Sequence, residues 1–188
     1  MRYQISGKQM DVGEALQTHI RTELAEMFRK YAQRPTDATI IMSREGSSFS
    51  CEATVHLSTG FTVAARGQSQ EAYAAFETCR ERMDKQMRRY KRRLRDHHDR
   101  AQPVEFADAA MYVLSSDTGE DEDEAASLQP IIIAETGTRI PALTVGEAVM
   151  QMELAGAGFL VFRNGKHGRL NVVHRREDGN VGWIDPSV

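Results

Sequence analysis

Between Arg80 and Arg95 nine of sixteen residues are Lys or Arg, with only Glu81 and Asp84 against them. An α-helix, turning about 100° per residue, gathers Phe76, Cys79, Met83, Met87, Tyr90 and Leu94 into one stripe. Arg82, Lys85, Arg88, Arg89, Arg92, Arg93 and Arg95 fill the opposite arc, with Lys91 in the same run. One face is suited to packing and the other to a polyanion. Surface helices ordinarily interleave opposite charges at i, i+4, and like charges at that spacing are destabilising. No acid lies on the arc from Lys85 to Arg95, so the arrangement opposes the helix unless a phosphate backbone, releasing its counterions, offsets the repulsion. A merely solvated face is the competing reading, and the unbroken sign argues against it.

The 188 residues suffice for one medium domain or two small ones. The net charge of -3 conceals three unequal parts. Residues 1–100 carry 18 Lys/Arg against 13 Asp/Glu, residues 101–130 carry eight acids and no Lys or Arg, and residues 131–188 carry six of each. Such asymmetry accompanies nucleic-acid contact joined to an acidic tail or linker. Cys51 and Cys79 are too far apart in sequence for a metal knuckle or a redox pair and read as small core residues. The polar stretch Met1–Met10 lacks an apolar signal region, and no run approaches the roughly 18 apolar residues of a membrane span. A cytoplasmic protein with no membrane contact is expected.

Hydrophobic periodicity divides the chain further. Residues 2–7 read as a strand closed by Gly7, and Asp11 with Glu14 as a capping box for a helix carrying Leu16, Ile20, Leu24, Met27, Phe28 and Tyr31. Strands follow over 38–43, 49–57 and 61–65, and Ser69 is placed to cap the basic helix, which runs to about His97. The order β-α-β-β-β-α defines an α+β domain over 1–100. From 101 to 129 periodicity fades into an acidic flexible linker containing Glu120–Glu124, interrupted by the apolar patch Met111–Leu114. Residues 130–188 read as a β-α-β-β-β domain whose helix opens with Thr144 and Glu147 as a capping box and ends at Gly156 and Gly158. Its strands are apolar on both faces in places, more than a unit of this size can bury alone. A second copy is the simplest cover.

No Walker motif, nucleophile elbow, His-Glu-x-x-His or complete dinucleotide loop occurs, so no enzyme, cofactor or small-molecule substrate is expected. His97-His98 beside Asp96 and Asp99 reads as a helix end, and Glu120–Glu124 lacks the ligand pattern of a calcium loop, so no metal is expected either. The middle strands lack the Gly-Phe-aromatic signature of an RNA-recognition motif. Three strands flanked by helices, with a basic helix as the contact, are nearer the double-stranded-RNA-binding arrangement, which reads backbone shape. Structured RNA therefore ranks above DNA. A regulator of transcription acting by protein contacts, such as a sigma-factor modulator, is the alternative.

Specific motifs carry a resemblance. Ile5-Ser-Gly7, Ala72-Tyr73-Ala-Ala75 and the basic helix end, with Glu147–Leu154, Phe159–Asn164, Asn171–Arg176 and Asp178-Gly-Asn180, resemble the long-form ribosome hibernation promoting factors, the ribosome-associated translation inhibitor family. The resemblance spans both domains and omits the acidic linker. It implies a first domain on the small ribosomal subunit, in the channel of messenger and transfer RNA, where it blocks translation. It implies a second domain that pairs with another copy, joining two ribosomes into an inactive dimer in stationary phase or starvation. By position, Lys85, Arg88, Arg89, Arg92 and Arg93 would contact ribosomal RNA. Phe159, Val161, Phe162, Val172 and Val173 would lie in the homodimer sheet. The chain departs from the family in its unusually acidic linker and in Ile140-Pro-Ala142, where a more basic helix entry is common.

Overall fold

The computed structural model describes residues 1–31, 33–96, 104–115 and 131–186, and the side chains of 94–96 lie outside that description. The first unit runs β1 (Arg2–Lys8), α1 (Glu14–Lys30), β2 (Pro35–Glu45), β3 (Ser48–Leu57), β4 (Thr62–Ser69) and α2 (Ala72–Asp96). Its strands form one sheet in the order β1-β2-β3-β4, with β1 parallel to β2 across α1 and the other pairs antiparallel. The expected β-α-β-β-β-α order is the one observed.

Alternation decides which face of this sheet is covered. Ala38, Ile40 and Met42 on β2 and Cys51, Ala53, Val55 and Leu57 on β3 are buried, and pair across the ladder as Ala38 with Val55, Ile40 with Ala53, and Met42 with Cys51. Both helices lie on this face, giving Leu16, Ile20, Leu24 and Phe28 from α1 and Phe76, Cys79, Met83, Met87 and Tyr90 from α2. The closest approach is at Gly67, opposite Cys51 on β3, where a methyl group would run into Ala75 O and Cys79 N of α2. This backbone contact seats α2 and brings together two thiols that sequence distance separates. Cys79 Sγ donates to Ala65 O at 3.2 Å, and a hydrogen bond with Cys79, added to burial, pushes the Cys51 thiol well above its ordinary value.

Two caps differ from expectation. Asp11 does not cap α1; Gly13 stands at that position, because Val12 must first enter the core and keeps the chain extended. Ser69 is the last residue of β4, paired with Phe49, and α2 starts three residues later.

The second unit comprises β5 (Phe106–Leu114), β6 (Ile132–Leu143), α3 (Val145–Leu154), β7 (Phe159–Asn164), β8 (Leu170–Arg175) and β9 (Val181–Ile184), in the sheet order β5-β6-β7-β8-β9. Its order is therefore β-β-α-β-β-β rather than β-α-β-β-β. The added strand, β5, falls inside the stretch read as linker: Met111–Leu114 pairs antiparallel with residues 132–136. The sparse apolar content of 101–129 hid a strand whose partner lies beyond the acidic run. That run, Glu120–Glu124, and His97-His98 lie outside the described residues. The α3 capping box is present, with Glu147 N–H donating to Thr144 Oγ1 (3.3 Å) and Thr144 N–H to Glu147 Oε2 (2.8 Å), and Gly156 at φ +63° follows the helix end. Gly67→Ala should lower unfolding free energy by at least about 2 kcal/mol in urea denaturation, because the obstructing atoms are backbone and cannot move aside.

Candidate nucleic-acid interface

The stripe of α2 points into the core, so its opposite arc must face outward. Arg82, Lys85, Arg88, Arg89, Lys91, Arg92 and Arg93 are all exposed, while the side chain of Arg95 lies outside the described residues. Their surroundings separate them. Arg82 donates to Arg66 O on β4 (2.6 Å), beside Gln86, which donates to Ala64 O (3.1 Å). Arg88 is paired with Asp84 (2.8 Å), and Lys91 lies 5.9 Å from the Tyr31 ring centroid. Arg93 meets Glu153 of the second unit at 2.7 Å. Lys85, Arg89 and Arg92 have no ion pair or hydrogen bond among the described residues, and so carry unspent charge. Arg80, on the flank, is taken by Glu77 and Glu23.

Asp84 organises the near end of this face. Only 15% exposed, its carboxylate accepts from Tyr31 Oη (2.8 Å), Lys30 Nζ (3.1 Å) and Arg88 (2.8 Å). Partial burial pushes the Asp84 carboxyl upward, but these three donors outweigh it and hold the pKa below the usual carboxylate range. The same contact raises the Lys30 ammonium through its bond to Asp84. Lys30 therefore joins the cationic surface from α1. Sequence reasoning missed it, and the signal available was the pair Arg29-Lys30 in the last turn of α1.

The open face of the first sheet is a poorer place for a polyanion. It carries Asp37, Glu45 and Glu52, and its Arg66 is held by Glu45 (3.1 Å) and Glu52 (3.4 Å). Charge thus assigns the candidate interface to the helix side.

In the second unit, register sorts the five residues expected in a dimer sheet. Val161 pairs with Val172, which pairs with Ile184, and Phe159 lies on the same side of the sheet, 63% exposed. Phe162 and Val173 point the other way and are completely buried within their own chain. They support the outward face from beneath. Asn164 and Asn171, buried beside Phe162, join β7 to β8 through an Asn164 Nδ2 to Asn171 Oδ1 bond of 2.9 Å, and Trp183 Nε1 donates to the same oxygen at 3.0 Å. Asn164, Asn171 and Trp183 thus tie the three strands β7, β8 and β9 together. Among the described residues no cluster of His, Cys, Asp or Glu could hold a metal ion, and no helix is long and apolar enough to cross a membrane.

Fold and charge together define a two-unit α+β protein that presents a basic helix face from the first unit and an apolar sheet face from the second. The chain belongs to the family described as Sigma 54 modulation protein / S30EA ribosomal protein, whose N-terminal model matches residues 3–95 and whose C-terminal model matches residues 127–182. A relative from Bradyrhizobium diazoefficiens, named ribosome hibernation promotion factor, is 41% identical across 99% of this chain and 95% of its own length. One of the same name from Rhizobium meliloti is 35% identical across 98% and 97%. Among solved structures, the N-terminal domain of Thermus thermophilus Protein Y matches with a TM-score of 0.44 and 22% identity, covering 48% of this chain and 99% of that one.

Replacing Asp84 by Asn should lower stability by about 1 kcal/mol at pH 7 in urea denaturation, by removing charged acceptors from three donors. Because the folded carboxyl titrates below its unfolded value of about 4, the native contribution is full above that pH and is lost as pH falls through the folded value. The difference between the two proteins should therefore shrink as pH falls below about 4.

Proposed function

We propose that the chain is a ribosome hibernation factor that silences translation by occupying the ribosome. The first unit binds the small ribosomal subunit in the channel of messenger and transfer RNA, with α2 set against ribosomal RNA phosphates. It acts by occlusion and carries out no chemistry. The observation carrying this reading is the row Lys85, Arg89 and Arg92, exposed and without partners among the described residues, in a chain 41% identical to a ribosome hibernation promotion factor. Unpaired cations on a rigid helix neutralise phosphate without first breaking an internal contact, and the released counterions supply the driving force. The setting is the cytoplasm, where ribosomes are.

The second unit adds pairing. Its outward face of Phe159, Val161, Val172 and Ile184 is apolar, with Phe159 and Ile184 exposed, and a second copy of the same face would remove it from water. Pairing two ribosome-bound copies joins two inactive ribosomes and raises the effective concentration of each binding unit. The family description also names sigma 54 modulation, a regulator acting by protein contact, and that alternative predicts a different salt response.

Titration with purified small ribosomal subunits separates the two. Binding through about six phosphates should weaken roughly a thousandfold between 50 and 200 mM salt. Lys85→Glu with Arg92→Glu, which removes no ion pair or hydrogen bond among the described residues, should abolish binding while thermal unfolding stays unchanged. Tight, salt-insensitive binding or an indifferent double variant would refute the ribosomal RNA assignment. Sedimentation of the full chain should show a dimer at micromolar concentration that Phe159→Asp with Val172→Asp converts to monomer. A wild-type monomer at that concentration would remove the pairing claim.

A further inference from the structure

The second unit packs against the RNA-facing helix of its own chain, through a contact with defined chemistry. Gln151 of α3, itself buried, places its amide on the outer edge of β4, accepting from Thr62 N–H (3.1 Å) and donating to Thr62 O (3.3 Å). Both ends of the amide are used, as a neighbouring strand would use them. Two residues on, Glu153 holds Arg93 of α2 at 2.7 Å, while Met150 and Leu154 line the same crevice as Arg89. On the other side, Val104 and Phe106 lie so close over Gly60 that a methyl group there would touch both. A freely tethered domain has no need of a buried glutamine matched to one residue of another sheet.

We propose that this docking masks part of the polyanion-binding face, so that the free protein rests in a closed form from which ribosomal RNA displaces α3. The proposal rests on the ribosome-binding reading above. Glu153 Oε2 presents to the Arg93 guanidinium an anionic oxygen such as a phosphate also offers, so carboxylate and phosphate compete for one cation. Arg89 lines the crevice beside α3. The Arg93–Glu153 pair is partly exposed and weak by itself, so Gln151 and its apolar neighbours supply most of the hold. Such a latch can be opened by a polyanion and still lower affinity in its absence. If the open form is about one tenth of the population, apparent affinity falls about tenfold below the intrinsic value.

The test uses the full chain as wild type, Gln151→Ala and Glu153→Gln, with two readouts. Hydrogen exchange at the Thr62 amide reports docking, and titration with purified small ribosomal subunits reports masking. Docking predicts a protected Thr62 amide in wild type whose exchange quickens about tenfold in Gln151→Ala, while the amides around Phe162 and Val173 keep their protection. Masking predicts subunit affinity about three- to tenfold tighter in both variants. Gln151→Ala alters no charge, so its gain cannot come from a simple reduction of repulsion. Equal Thr62 exchange in wild type and Gln151→Ala would overturn docking. Faster exchange with unchanged affinity would overturn masking while leaving ribosome binding intact. Failure of all three chains to bind subunits would remove the ribosome reading and the masking claim with it.

Discussion

The first unit depends on one backbone-to-backbone contact, that of Gly67 with the first turns of α2. Without a side chain at that position the helix settles directly on β4, and its stripe from Phe76 to Tyr90 reaches the buried row of β3. Everything outward follows geometrically. Once Cys79, Met83 and Met87 are committed to the core, the cations between them have only the solvent side left. Depth of seating also explains why Arg82 and Gln86 reach the β4 carbonyls at Arg66 and Ala64. The charged face is therefore rigid to the extent that the core is.

Electrostatics then divides the surface. The sheet side pairs Arg66 with two glutamates, whereas on the helix side Lys85, Arg89 and Arg92 meet no carboxylate among the described residues, and Asp84 draws Lys30 toward them from α1. Exposed ion pairs contribute little to stability. Their value here lies in the sign of the field each face presents, which decides where a nucleic-acid backbone is attracted and where it is repelled.

Sequence patterns were legible where one residue's environment is set by its near neighbours. The alternation Cys51-Ala53-Val55-Leu57 reported a half-covered strand, the stripe of α2 reported its buried face, and Thr144 with Glu147 reported a helix start. The misreadings all involved distant partners. Asp11 has the chemistry of a cap, but Val12 is drawn into the core by residues far along the chain. Ser69 has it too, but pairing with Phe49 holds it in a strand. Met111–Leu114 becomes β5 only because residues 132–136 lie alongside. Phe162 and Val173, carried with Phe159 into one sheet by the family resemblance, do lie in that sheet, and its two-residue period puts them on the opposite side from Phe159. The contact of Gln151 with Thr62 had no local signal at all.

The side chains lying along β4 have a further consequence. An edge strand with unmet amides and carbonyls invites another chain to add to the sheet, which is how many proteins aggregate or exchange segments. On β4 the outward carbonyls of Ala64 and Arg66 accept from side chains of the same unit, and Gln151 meets both outward groups of Thr62. With these carbonyls taken, an incoming strand finds few acceptors on which to register. Side chains from α2 and α3 thus blunt the edge of the first sheet without adding a strand to it.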